Sequence, residues 1–80
     1  MIKAVIVDDE RKGALTLSKL LEVHCPEVEL KGIALNCEEG IAQVKKHQPD
    51  LVFLDIEMQG ETGFDLLKQF PDPDFTLIFV

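Results

Sequence analysis

Eighty residues leave room for one domain, and with 46% hydrophobic residues the chain reads as a packed globule rather than a disordered segment. Fifteen acids against eight bases give a formal net charge of −7, which argues against gripping nucleic acid through phosphate contacts. No apolar run approaches the roughly 20 residues that span a bilayer, and Met1-Ile2-Lys3-Ala4 leads straight into a strand-like run without signal-peptide architecture, so the reading is a soluble, cytoplasmic protein.

Ala4-Val5-Ile6-Val7 is a short apolar run, β-branched in its middle, that stops abruptly at Asp8-Asp9-Glu10. Such a run predicts a strand buried on both faces, as in parallel sheets covered by helices on each side. Over 10–24, Ala14, Leu15, Leu17, Leu20 and Leu21 recur at helical intervals with Lys12 and Lys19 opposite, and Pro26 ends the helix. The stretch 28–35 begins with alternation and predicts a half-exposed strand. Asn36 with Glu39 three places on is close to a capping box. The helix behind it turns Ile41, Ala42 and Val44 inward and carries Lys45, Lys46 and His47 near its carboxyl end, where cations suit the dipole.

Leu51-Val52-Phe53-Leu54 is a second wholly apolar run, and it too ends on an aspartate, Asp55. After a loop with Gly60 and Gly63, Thr62 is placed to cap a short helix burying Phe64, Leu66, Leu67 and Phe70. Pro71 and Pro73 then precede a last apolar strand over 75–80. The order β-α-β-α-β-α-β calls for a parallel sheet with right-handed crossovers, whose ligands sit beyond the carboxyl ends of the strands at the switch in strand order. The predicted fold is α/β, a flavodoxin-like doubly wound parallel sheet of order 2-1-3-4.

In that order the first and third strands are neighbours, and Asp8, Asp9 and Asp55 converge on one rim. Two carboxylates about 4 Å apart repel by roughly 4 kcal/mol at an effective dielectric near 20. Something should offset that: a proton, a base or a metal. Mg²⁺ is the natural candidate, because it binds through one or two carboxylates plus water and phosphate oxygens. A carboxylate nucleophile beside it makes a phosphoryl-transfer arrangement.

The segments Val5-Ile6-Val7-Asp8-Asp9-Glu10 and Pro49-Asp50-Leu51-Val52-Phe53-Leu54-Asp55-Ile56-Glu57-Met58, with Gly63, resemble the receiver domains of bacterial two-component response regulators. The resemblance covers the whole chain. It implies that Asp55 takes a phosphoryl group from the phosphohistidine of a sensor histidine kinase. Asp9 and Asp55 would hold Mg²⁺ directly, Asp8 largely through water, and the backbone carbonyl of Glu57 would complete the protein's share. The stretch from Asp55 to Phe64 looks most like regulators with a LytTR-type DNA-binding domain, which implies a transcriptional output domain. Gln59 departs from the family's usual proline there, a change worth up to about 1 kcal/mol in loop stability.

The resemblance also implies a fifth strand and two last helices, which residues 1–80 do not reach, with a switching Ser or Thr just past Val80 and a lysine ending the fifth strand. Residues 1–80 are thus read as the amino-terminal portion of a receiver domain, with impaired phosphorylation and with either self-association through an exposed sheet edge or apolar face or marginal stability. Two alternatives remain. One is an inactive metal-binding or dimerisation module. Another is a haloacid-dehalogenase-like phosphatase, although adjacent Asp8 and Asp9 do not match the two acids separated by one residue that it needs. A dinucleotide-binding domain fails for want of a Gly-x-Gly after the first strand. Met58 reads as loop packing, Arg11 and Lys12 as solvated helix positions, and Cys25 and Cys37 as free thiols. The spacing of His24, Cys25, Cys37 and His47 fits no usual zinc site.

Overall fold

The computed structural model describes residues 1–55 and 63–80. Four strands and three helices alternate: β1 (Ile2–Val7), α1 (Arg11–His24), β2 (Val28–Ala34), α2 (Cys37–His47), β3 (Leu51–Leu54), α3 (Gly63–Lys68) and β4 (Thr76–Phe79). Every strand pairing is parallel, in the order β2-β1-β3-β4 that the sequence predicts. The apolar runs of β1 and β3 are central and covered on both sides. Val5, Val7, Val52 and Leu54 face α2 and α3, packing with Val44, Cys37 and Leu66. Ala4, Ile6 and Phe53 face α1 through Ala14 and Leu21. This two-sided burial is why neither run alternates with polar residues.

The helices bury narrower stripes than their composition suggests. In α1 the buried residues are Ala14 and Leu21, with Leu17 half-buried, whereas Leu15 and Leu20 are 49% and 51% exposed. At about 100° per residue, Leu15 and Leu20 fall on opposite flanks of the Ala14–Leu17–Leu21 line, and the sheet reaches only that line. In α2 the stripe is Cys37, Gly40, Ile41 and Val44, and Ala42 points to solvent rather than inward. Leu66 of α3 is wholly buried and Phe70 half-buried. Thr62 and the side chain of Phe64 lie outside the described residues.

Local chemistry sets the boundaries. The Asn36 side chain accepts from the Glu39 amide at 2.7 Å, as an N-cap should. The return arm of the box lands one residue early: Glu39 Oε1 accepts from the Leu35 amide at 3.1 Å. Gln48 closes α2 in the left-handed conformation (φ 47°) and donates its amide to the Val44 carbonyl. Asp50 then ties three strands together. Its amide donates to the Lys3 carbonyl at 2.8 Å, its carboxylate accepts from the Lys3 amide at 2.9 Å, and its carbonyl accepts from the Thr76 amide at 2.9 Å.

Candidate functional site

The strand ladders carry on past the ends of β1 and β3 and fix the acids in place. Val7 pairs with Leu54, so the next residues, Asp8 and Asp55, stand side by side. The Asp8 amide donates to the Ala34 carbonyl and the Asp55 amide to the Val7 carbonyl, both at 2.9 Å. Asp9 follows in the turn before α1. One ligand atom from each of Asp8, Asp9 and Asp55 lies within 4.8 Å of the others. Among the described residues this is the one group of three or more His, Cys, Asp or Glu side chains gathered so closely.

Asp8 and Asp55 are half-buried and Asp9 exposed. Partial burial pushes the Asp8 carboxyl above its ordinary value of 3.8. The Glu10 amide, which donates to Asp8 Oδ1 at 2.9 Å, works in the opposite direction. The charge of Asp55, a hydrogen bond between the Asp8 and Asp55 carboxyl groups and the charge of Asp9 all favour the protonated acid. Crowding of negative charge is therefore built into the rim, and a cation would relieve it. Three carboxylates offer only hard oxygen donors, which suits a small divalent ion such as Mg²⁺ and not a thiophilic one. The residues fit the ion.

A groove of about 450 Å³ opens above the acids, walled by Gly13, Thr16, Leu17 and Leu20 of α1 and by Val80. Gly13 belongs to the site although nothing in the reading of the chain singled it out. An added Cβ there would come within 2.8 Å of Asp8 Oδ2, so the helix passes close only because the residue is glycine. The available signal was a glycine in the first turn of a helix five residues after Asp8, where propensity disfavours it. Glu57, whose backbone carbonyl was expected to join the site, lies outside the described residues, as do Met58, Gln59 and Gly60. Arg11 and Lys12 are exposed. Cys25 is half-buried and Cys37 buried, and no disulfide joins them.

Residues 4–80 match the family described as the response regulator receiver domain. The chain is 44% identical over 68 residues to the protein-glutamate methylesterase/protein-glutamine glutaminase 1 of Oleidesulfovibrio alaskensis, a match covering 85% of this chain and 18% of that protein. It is 38% identical over 76 residues to the sensory transduction protein LytT of Bacillus anthracis, covering 91% of this chain and 30% of LytT. The crystal structure of the response regulator PhyR from Brucella abortus superposes with a TM-score of 0.84 at 28% identity, covering 98% of this chain and 32% of that one. The chain thus spans less than a third of these relatives. The two sequence relatives differ in what their names say the whole protein does, so the likeness speaks for the shared module.

Proposed function

Because the chain belongs to the receiver-domain family of response regulators, we propose that Asp55 is its phosphoacceptor and that Asp8, Asp9 and Asp55 hold Mg²⁺ for the transfer. The carrying observation is the convergence of these three carboxylates, from two separate strands, within 4.8 Å. The Glu57 carbonyl completes the ligand set in this reading. A carboxylate oxygen of Asp55 attacks the phosphorus of a phosphohistidine on a sensor histidine kinase. The P–O bond forms as the P–N bond breaks, and the imidazole leaves with the electron pair and takes up a proton. Bound Mg²⁺ supplies positive charge against the oxygens of the transferring group. The chain's own contribution is positional: ladder hydrogen bonds from Asp8 to Ala34 and from Asp55 to Val7 hold the rim rigid.

In this reading the segment turns over no external substrate. The phosphorylated rim signals to an output domain, in keeping with the likeness to the sensory transduction protein LytT, and the LytTR-like stretch from Asp55 to Phe64 favours the transcriptional kind. The partners are a histidine kinase and, through the β4 edge, a second copy of the chain. Incubation with Mg²⁺ and acetyl phosphate tests the reading. The intact mass should rise by one phosphoryl group, and Asp55→Asn should abolish the rise. Steady release of free phosphate would instead favour a phosphatase. Perturbation of Asp9 and Asp55 resonances by Mg²⁺ without a mass gain would leave a metal-binding module.

A further inference from the structure

We propose that the groove at the opposite end of the sheet, between the carboxyl end of α2 and the segment joining α3 to β4, docks an arginine side chain from a partner polypeptide. Its volume is about 570 Å³, within the roughly 300–1,000 Å³ of ordinary ligand sites. Phe70 and Phe75 form its aromatic wall, with ring centroids 5.5 Å apart and planes at 85°. Asp72 and Asp74 stand on the rim, both exposed and each between prolines or next to one.

Charge selects the occupant. Asp50, Asp72 and Asp74 line the groove against a single cation, Lys45. One oxygen of the Asp50 carboxylate already accepts from the Lys3 amide, and Asp72 and Asp74 add two further carboxylates to the lining. The ion pairs among the described residues join Lys31 to Glu29 and Lys68 to Asp65, so neither of these two acids is neutralised by a neighbouring Lys or Arg. An anion would be repelled, and a purely apolar group would desolvate carboxylates without pairing them. A guanidinium does both jobs: its plane stacks on an aromatic ring while its N–H fork meets carboxylates. Lys45 repels it from the α2 side and so directs it toward Asp72 and Asp74. A free arginine would bring its own carboxylate to an acidic rim, whereas a residue within a peptide chain does not.

The groove is also preorganised. Pro71 and Pro73 fix their backbone angles, and the three hydrogen bonds of Asp50 to Lys3 and Thr76 brace the floor. The groove shares no lining residue with the one above the acids at the other rim, so docking here does not depend on the phosphoacceptor assignment.

Titration of the ¹⁵N-labelled 80-residue chain with acetyl-Ala-Arg-Ala-amide provides the test. Amides of Gln69, Phe70, Phe75 and Thr76 should shift in a saturable way. The citrulline peptide, and the arginine peptide against an Asp72→Asn/Asp74→Asn variant, should each bind about tenfold more weakly. Free arginine should bind more weakly than the peptide, Lys45→Gln should bind it more tightly, and Asp55→Asn should leave binding unchanged. Equal binding of the citrulline peptide, no saturable shift, or shifts of the same size around Asp8 and Asp9 would overturn the proposal. The substituted aspartates are exposed, so a retained amide spectrum separates lost binding from lost fold.

Discussion

Gly13 and Asp8 touch across the turn between β1 and α1: a Cβ on Gly13 would sit 2.8 Å from Asp8 Oδ2. That is closer than side-chain carbons approach a carboxylate oxygen, so Gly13→Ala must move the Asp8 carboxylate. Helix propensity works the other way, since Ala in a helix is worth roughly 0.5–1 kcal/mol over Gly. The variant should therefore keep or raise its melting temperature while its Mg²⁺ affinity falls several-fold. Mg²⁺ titration by calorimetry beside a thermal melt separates the two effects. Unchanged affinity would show that Asp8 takes no part in holding the ion.

Asp8 also gives the rim a pH dependence of known sign. Its carboxyl is raised, chiefly by burial and then by Asp55 and Asp9, so the folded chain binds this proton more tightly than the unfolded chain does. The stabilisation from protonation is complete below 3.8 and is lost as the pH climbs through the raised folded value. Above that window, without metal, ionised Asp8 opposes folding. Asp8→Asn should thus raise the melting temperature at neutral pH in chelator and make little difference near pH 3. Mg²⁺ should pull the Asp8 titration down. Carbon-detected titration of the side-chain carboxyl reads it directly, and a midpoint at or below 3.8 in chelator would contradict the geometry.

The parts of this molecule that were legible in its sequence are those set by pattern over a few residues. Two apolar runs that each stop on an acid gave both central strands and the rim, because burial on two faces forbids alternation. The connectivity called for a parallel sheet but did not fix its order; 2-1-3-4 was the order that brings the two acid-ended strands together, and the structure has it. What escaped depends on which element lies across from which. Leu15 and Leu20 have the composition of core residues, yet only the Ala14–Leu17–Leu21 line meets the sheet. Ala42 is apolar but sits off the stripe that Gly40 and Val44 define. The one local mark of Gly13 is its poor helix propensity, which does not say what the helix passes, and the Phe70–Phe75 groove exists only where a loop folds against the end of another helix.

Gly40 makes the same kind of close approach in the core. A Cβ there would lie 2.9 Å from Val7 Cγ2 and 3.2 Å from Leu66 Cδ1. Both partners are wholly buried, so neither can swing aside. Overpacking of this sort costs typically about 1–3 kcal/mol, against a propensity gain of roughly 1 kcal/mol. Gly40→Ala should destabilise by a net 1 kcal/mol or so, on the order of the difference between those two figures. The readout is the urea midpoint at unchanged m-value. Gly40→Ala should cost less in a Val7→Ala background than in the parent chain, because Val7→Ala, though destabilising in itself, removes the nearest obstructing carbon.

The two edges of the sheet are guarded unequally, and the difference predicts how the 80-residue polypeptide behaves at high concentration. On β2, Glu29 and Lys31 pair at 2.9 Å, and the ladder to β1 is irregular between Ala4 and Val5, leaving Lys31 out of register. Charge and a bulge are both devices that discourage strand addition. On β4, the run Thr76-Leu77-Ile78-Phe79-Val80 carries no charged side chain and no proline, and within the described sheet it is bonded to β3 alone. Phe79 is 47% and Val80 48% exposed. A short, uncharged β-forming edge of that kind recruits another strand. Association should therefore proceed through β4 and strengthen with concentration. Phe79→Lys should weaken it, while Glu29→Gln should not, since β2 would still carry its bulge. Sedimentation velocity across a hundredfold concentration range tests the expectation, and a single monomeric boundary throughout would show that this edge is inert.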